Sequence, residues 1–260
     1  MLKVTSADGT TIAYDRSGSG APVILVGGAL CDRASTRPLA ELLEGDFTVV
    51  SYDRRGRGDS GDTGPYAVAR EVEDLGALIT ALGGTAAVYG HSSGAALVIA
   101  AAATGLPITK AMVHEPPYGP DDEESRRQSD EGGARVLALL AENHHSEAVE
   151  AFLTMAGMPT PAAKGLAAQP GMAAVAPSLA YDFALMAVAA GGTIPFELIG
   201  KITQSALVIC GSASPPFMVD AARAVAKTLP AGRLVELDGH DHVVPPQVLA
   251  PVLAEFLAGA

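Results

Sequence analysis

The sequence has few cysteines and no apolar run with the length and purity of a membrane span. Only Cys31 and Cys210 are cysteines, a usage typical of a reducing compartment and contrary to a disulfide scaffold. The Ala-rich stretch at residues 95–103 is too short to cross a bilayer. The opening residues, MLKVTSADGT, have no apolar segment of the secretory type. We therefore expect a cytoplasmic protein without membrane association.

Positive charge is also scarce. The chain has 17 Lys and Arg residues against 29 Asp and Glu residues, which gives a formal net charge of -12. Because no basic stripe offsets this charge, polyanions are repelled, and we expect no nucleic-acid partner. No Cys/His cluster has zinc spacing. The neighbouring His144 and His145 would point about 100° apart on a helix, which makes them poor joint metal ligands.

What the sequence does have is an alternation of strand-like and helix-like segments. The predicted strands are residues 2–6, 10–16, 21–28, 47–53, 85–90, 110–115, 205–211 and 232–239. Between two of them, residues 66–82 carry apolar side chains at helical spacing. Such alternation predicts an α/β fold with a mostly parallel sheet and helices on both faces.

The segment between the sixth and seventh predicted strands breaks this alternation. Residues 116–133 are polar and charged, which indicates a loop, and residues 134–200 indicate helices interrupted by prolines. We predict a first core part at residues 1–116, a helical cap at 117–200 and a second core part at 201–260. Apolar cap residues are expected either to pack the cap or to line an apolar pocket: Phe152, Met155, Met158, Met172, Tyr181, Phe183 and Met186.

The pentapeptide Gly90-His91-Ser92-Ser93-Gly94 joins a predicted strand to a predicted helix. A nucleophilic serine must project from the sheet, and so sharp a turn needs glycine on both sides. Ser92 has glycine two residues before and two after it, so Ser92 is the predicted nucleophile. The backbone N–H of Ser93, at the start of the helix, is a predicted oxyanion donor. A chance match to this short pattern is the alternative.

Three further segments accompany the pentapeptide: ILVGGAL, SYDRRGRGDS and LDGHDHVV. With it they resemble the α/β-hydrolase fold family over essentially the whole chain. The resemblance implies an eight-stranded, mostly parallel sheet with a helical cap after the sixth strand. It also implies acyl chemistry on a small molecule without a cofactor, and a second oxyanion donor at the backbone N–H of Ala29.

The base and the acid also follow from the resemblance. A histidine after the last strand is the expected base; His242 fits this place, and His240 is its rival. The acid usually follows the seventh strand, but Ser214 occupies that place, and a hydroxyl cannot balance an imidazolium. Some members carry the acid after the sixth strand, where this chain has Glu115. Glu115 is therefore the predicted acid, and a structural carboxylate that binds loop N–H groups is the alternative.

The predicted function is a serine hydrolase that cleaves an ester or lactone of a small to medium, apolar substrate through an acyl-enzyme on Ser92. A cofactor-free haloperoxidase or perhydrolase-like activity and a non-catalytic ligand-binding protein on the same scaffold are the alternatives. Residues 56–61, GRGDSG, match a dinucleotide-binding pattern but do not lead directly into a helix, which favours a structural turn. Cys31 has no evident activating base and ranks below Ser92.

Overall fold

The computed structural model describes residues 1–187 and 192–259, and within these ranges an eight-stranded sheet forms the centre of the fold. The strands are β1 (Leu2–Thr5), β2 (Thr11–Ser17), β3 (Ala21–Val26), β4 (Phe47–Tyr52), β5 (Ala86–His91), β6 (Ile108–His114), β7 (Ser205–Gly211) and β8 (Gly232–Leu237). The helices are α1 (Arg37–Leu43), α2 (Val68–Ala81), α3 (Ser93–Ala102), α4 (Glu123–Ala141), α5 (His145–Met155), α6 (Thr160–Ala167), α7 (Met172–Val175), α8 (Leu179–Ala187), α9 (Phe196–Ile199), α10 (Pro216–Thr228) and α11 (Pro246–Ala258).

The strand order is β1-β2-β4-β3-β5-β6-β7-β8. β2 pairs antiparallel with β1 and with β4, and the remaining neighbours pair in parallel. The predicted eight-stranded, mostly parallel sheet is confirmed. Because parallel strands end at the same edge, the segments that follow β3, β5, β6, β7 and β8 all begin at one edge of the sheet.

Two apolar layers cover the sheet. On one face, Leu78 of α2, Leu97 of α3 and Val225 of α10 are buried, and on the other face Leu43 of α1 and Leu253 of α11 are buried. Every residue of α3 is buried, as its apolar sequence predicts. Among residues 1–187 and 192–259, no helix combines the length and the apolar character that a membrane crossing requires.

The insertion between β6 and β7 begins with a helix where a loop was predicted. The loop prediction holds for residues 116–122 but is wrong for residues 123–133, because α4 spans Glu123–Ala141. Asp122 caps this helix by accepting a hydrogen bond from the Ser125 N–H at 2.9 Å, and Arg127 pairs with Glu124 at 2.6 Å. Only Gly133 and Val136 are buried in α4, so its polarity reflects a helix that faces solvent.

The insertion has an apolar core of its own. Val136, Val149, Ala163 and Leu179 are fully buried in it, and they belong to four different helices. The same cluster includes Leu30, from the loop after β3, so the insertion packs directly on that loop. The division of the chain at residues 117–200 stays a prediction, and residues 188–191 of that range lie outside the described residues.

Candidate active site

Ser92 lies at the sharp turn between β5 and α3. Its backbone has φ 54° and ψ -122°, a conformation that L residues rarely adopt and that concentrates at functional sites. A Cβ on Gly90 would lie 2.3 Å from the Gly94 carbonyl oxygen, and a Cβ on Gly94 would lie 2.5 Å from the Val26 carbonyl oxygen. Neither contact is possible, so the turn requires both glycines, and it presents Ser92 at the carboxyl edge of the sheet.

The loop after β3 lies against this turn. A Cβ on Gly28 would be 3.1 Å from the His91 carbonyl oxygen and 3.2 Å from Ser92 Cβ. Ala29 follows at once, and the structure therefore brings its loop beside Ser92. Ser93 is the first residue of α3, so its backbone N–H belongs to the first helical turn, whose donors have no intrahelical acceptor.

Glu115 and His242 form a hydrogen-bonded pair at the same edge. Glu115 Oε2 lies 2.5 Å from His242 Nδ1, which is the contact that the sequence prediction requires. The other carboxylate oxygen, Oε1, accepts hydrogen bonds from Ser214 Oγ at 2.6 Å and from the Gly211 N–H at 2.8 Å. Ser214, at the place after β7 where an acid was expected, thus donates to a carboxylate that follows the neighbouring strand β6.

The carboxyl group of Glu115 is fully buried yet ionised. Burial opposes its ionisation, but the hydrogen bonds from His242, Ser214 and Gly211 outweigh burial and lower its pKa to about 2. Its backbone φ of 46° lies in the left-handed region. Such strain persists only where surrounding contacts hold it, and here three hydrogen bonds hold the side chain.

The His91 ring lies between the rings of His242 and His114, tilted against each of them. The centroid of the His91 ring lies 4.5 Å from that of His242, and His91 Nε2 donates to the His242 carbonyl oxygen at 2.9 Å. Burial and the nearby His242 lower the pKa of His91 to about 4, and burial likewise lowers the pKa of His114. The rival base, His240, contributes a backbone carbonyl that accepts from the Ala213 N–H at 2.8 Å. The ring on Glu115 is therefore that of His242.

Beneath the turn lies a buried ionic network that the sequence analysis does not identify. Arg54 binds both oxygens of Glu71, at 2.6 and 2.7 Å, and its Nη1 donates to Asp182 at 2.8 Å. Arg57 Nη2 contacts both oxygens of Asp182 at 2.8 Å. All four side chains are at most 2% exposed, and their charges balance.

This network reaches the predicted oxyanion donors on both sides. Ser93 Oγ donates to Asp182 at 2.8 Å, and Arg57 Nη1 donates to the Gly28 carbonyl oxygen at 2.6 Å. Burial opposes ionisation of Asp182, but Arg57 and Arg54 outweigh it, and the pKa of Asp182 is lowered. The available sequence signal was the arginine-rich segment directly after the buried strand β4, whose charges at that edge need partners.

The segment with the dinucleotide-like pattern forms a filled turn. Gly56 and Gly58 have φ values of 73° and 52°, and a Cβ on Gly58 would overlap the Asp53 carboxylate at 2.3 Å. That carboxylate already accepts a hydrogen bond from the Asp59 N–H at 2.9 Å. The space in the turn is thus taken by Asp53. Across residues 1–187 and 192–259, no group of three or more His, Cys, Asp or Glu side chains is arranged to hold a metal ion.

The apolar cap residues have several environments. Four of the seven pack against the core of the insertion: Phe152, Met158, Met172 and Phe183. Tyr181 stacks on Tyr66 with ring centroids 3.9 Å apart, and its hydroxyl donates to Asp62 at 2.6 Å. Met155 is 38% exposed, and Met186 is half-buried. Packing of the insertion therefore accounts for most of this set.

Comparisons with known proteins agree with this geometry. The sequence profile described as "Alpha/beta hydrolase family" matches residues 17–254. A crystal structure of an alpha/beta hydrolase from Sphaerobacter thermophilus DSM 20745 is 48% identical and superposes with a TM-score of 0.89, covering 99% of this chain and 100% of that one. A thermophilic esterase from Thermogutta terrifontis, 21% identical, has a TM-score of 0.74 with 98% and 97% of the two chains covered. The enol-lactonase from Burkholderia xenovorans LB400, 18% identical, has a TM-score of 0.71 with 99% and 100% covered. The chain therefore belongs to the alpha/beta hydrolase family of enzymes.

Proposed function

We propose that this hydrolase cleaves an ester or lactone of a small to medium, apolar small-molecule substrate through an acyl-enzyme on Ser92. The observation that carries the proposal is the contact of Glu115 Oε2 with His242 Nδ1, at the same edge of the sheet as the strained Ser92. A carboxylate on Nδ1 fixes the tautomer of the ring, so Nε2 is the nitrogen that receives a proton.

The proposed reaction has two halves. His242 Nε2 removes the Ser92 hydroxyl proton as Ser92 Oγ attacks the carbonyl carbon, and the backbone N–H groups of Ala29 and Ser93 bind the oxyanion. The intermediate collapses, the ester bond breaks, and His242 gives its proton to the leaving oxygen. Water then attacks the acyl-enzyme with the same base, which releases the acid and restores Ser92. Glu115 remains ionised and stabilises the imidazolium in both halves.

Two observations favour an uncharged, apolar substrate, and a third bears on the bond that is cleaved. The loop that carries Ala29 packs against the apolar core of the insertion. The net charge of -12 disfavours anions, and Arg54 and Arg57 are already paired with buried carboxylates. The names of two neighbours of similar fold, an esterase and an enol-lactonase, are consistent with ester or lactone chemistry. We also infer a cytoplasmic location, and residues 117–200 as a cap over the site.

A fluorophosphonate probe with a fluorescent tag tests the nucleophile. Wild-type protein is expected to react at Ser92, and Ser92→Ala protein is expected not to react. Ser129→Ala, at an exposed serine of α4, is the matched control and should label like wild type. A series of p-nitrophenyl esters of increasing chain length then tests the substrate class. A folded wild-type protein that neither labels nor hydrolyses any ester would favour the ligand-binding alternative.

A further inference from the structure

Asp182 is a fully buried carboxylate that the insertion contributes to the sheet core. It lies on α8, and its oxygens accept from Ser93 Oγ, Arg54 Nη1 and Arg57 Nη2, all at 2.8 Å. Nothing in the proposed reaction uses this carboxylate. Burying an ionised group costs free energy that its hydrogen bonds must offset, and Asp182 accepts four of them. The question is what this buried carboxylate contributes in return.

One set of contacts fastens the nucleophile turn. Ser93 Oγ donates to Asp182, while the backbone N–H of the same residue is a proposed oxyanion donor. Arg54 Nη1 also donates to Ser93 Oγ, at 3.1 Å. The Ser93 side chain is 1% exposed, so no water replaces these partners. Asp182 thus fixes where the first residue of α3 lies.

The second set fastens the opposite donor. Arg57 Nη1 binds the Gly28 carbonyl oxygen at 2.6 Å, and that carbonyl shares a peptide plane with the Ala29 N–H. In a trans peptide the C=O and N–H point in opposite directions, so a partner on the oxygen sets the direction of the N–H. The hydrogen bond to the oxygen also polarises the N–H. Arg57 also donates to the Cys31 carbonyl at 3.3 Å and is itself held by both Asp182 oxygens.

We propose that Asp182 is a positioning residue that aligns both proposed oxyanion donors, through the Ser93 side chain on one side and through Arg57 and the Gly28 carbonyl on the other. The inference rests on the proposed serine-hydrolase function. The insertion would then contribute to catalysis, because its helix α8 supplies the carboxylate that orients both proposed donors.

Asp182→Asn tests this, with Asp74→Asn as the matched control. Asp74 is also a buried carboxylate, 1% exposed, and both of its oxygens accept hydrogen bonds from the Arg55 guanidinium at 2.8 Å. These contacts involve neither the nucleophile turn nor the loop after β3. With p-nitrophenyl acetate, Asp182→Asn should lower kcat on the order of 10–100-fold, somewhat less than removal of a whole oxyanion donor. KM should change little. Asp74→Asn should retain kcat although it also loses a buried ion pair.

The same variant separates geometry from charge. Asp182→Asn leaves one uncompensated positive charge near the oxyanion, which by itself would favour the transition state. A fall in kcat therefore reports lost alignment. Arg57→Lys keeps the charge but cannot hold Asp182 and the Gly28 carbonyl with one planar fork, and it should lower kcat similarly. Arg57→Lys also serves if Asp182→Asn fails to fold by circular dichroism.

The outcomes are distinct. The positioning role would be overturned if folded Asp182→Asn and Asp74→Asn proteins had equal kcat values. If Asp182→Asn does not fold, a kcat of Arg57→Lys equal to that of wild type would overturn it. In both cases Ser92 would remain the proposed nucleophile. A change in KM alone would also overturn it. A folded wild-type protein with no esterase activity and no probe labelling would overturn the proposed function together with this inference. The pH profile of kcat should keep its shape in Asp182→Asn, because the Glu115–His242 contact is untouched.

Discussion

Glu115 and His242 are 127 positions apart in the chain, yet a carboxylate oxygen of one lies 2.5 Å from a ring nitrogen of the other. Glu115 directly follows β6, and His242 lies in the loop after β8. Between their strands lies β7, whose following loop contributes the Ser214 hydroxyl to the same carboxylate. Three strand ends therefore share one buried acidic group, and changes at each have different expected results.

Glu115→Gln should lower kcat/KM on the order of 10³–10⁴-fold, as loss of a triad acid does elsewhere, because an amide cannot stabilise an imidazolium and can present the wrong hydrogen-bonding group to Nδ1. Steady-state hydrolysis of p-nitrophenyl butyrate measures the loss. Ser214→Ala is the comparison: it removes one donor from Glu115 but keeps the carboxylate and its contact with His242, so it should cost far less activity than Glu115→Gln. Near-wild-type turnover in folded Glu115→Gln would refute the assignment.

The low pKa of Glu115 predicts an acid-sensitive contribution to stability. Its ordinary value is 4.5 and its folded value is about 2, so the folded state holds fewer protons between these values. The stabilisation is complete above pH 4.5 and is lost as the pH falls towards 2. Urea unfolding at several pH values should show a steeper loss over this window in wild type than in Glu115→Gln. Parallel curves would contradict the pairing.

His91 predicts a second pH-dependent contribution to stability, at higher pH than that of Glu115. The pKa of His91 falls from 6.5 to about 4 on folding, so between these values the unfolded chain binds more protons. Stability should therefore decline as the pH falls from 6.5 to 4, by about 1.4 kcal/mol per pH unit for each proton taken up. His114 adds to the same decline. His91→Gln, which keeps an N–H donor, should flatten the curve, and an unchanged slope would be evidence against a neutral His91.

Two glycine variants should separate folding from catalysis. Gly90→Ala places a Cβ 2.3 Å from the Gly94 carbonyl oxygen, so the backbone must move, and a loss of at least about 1–3 kcal/mol in unfolding free energy is expected. Gly28→Ala meets His91 and Ser92 at 3.1 and 3.2 Å, which displaces the loop by a few tenths of an ångström. Urea unfolding should show a large loss of unfolding free energy in Gly90→Ala and a small one in Gly28→Ala. Steady-state kinetics should show that Gly28→Ala mainly lowers kcat. The reverse pattern would contradict this placement.

The sequence predicted the strands because each is a short apolar run between turn residues, and these local patterns survive in the sheet. It failed at α4, where charged residues resemble a loop although they are compatible with a helix that faces solvent on most sides. The pairing of Glu115 with His242 was predicted because a carboxylate was missing at residue 214. Asp182 had no such signal. Its partner Arg54 lies 128 positions away, and only the packed insertion brings them together.

The helices of the insertion are fastened with unequal strength. α4 buries only Gly133 and Val136, and its exposed face carries ion pairs within the helix, such as Arg127 with Glu124, which salt screens and which contribute little. α8 carries Asp182, buried from both water and salt. Amide hydrogens of α4 should therefore exchange earlier than those of α8, and added salt should widen the gap. We therefore expect the outer helix of the insertion to open locally while Asp182 keeps its contacts with the turn at Ser93.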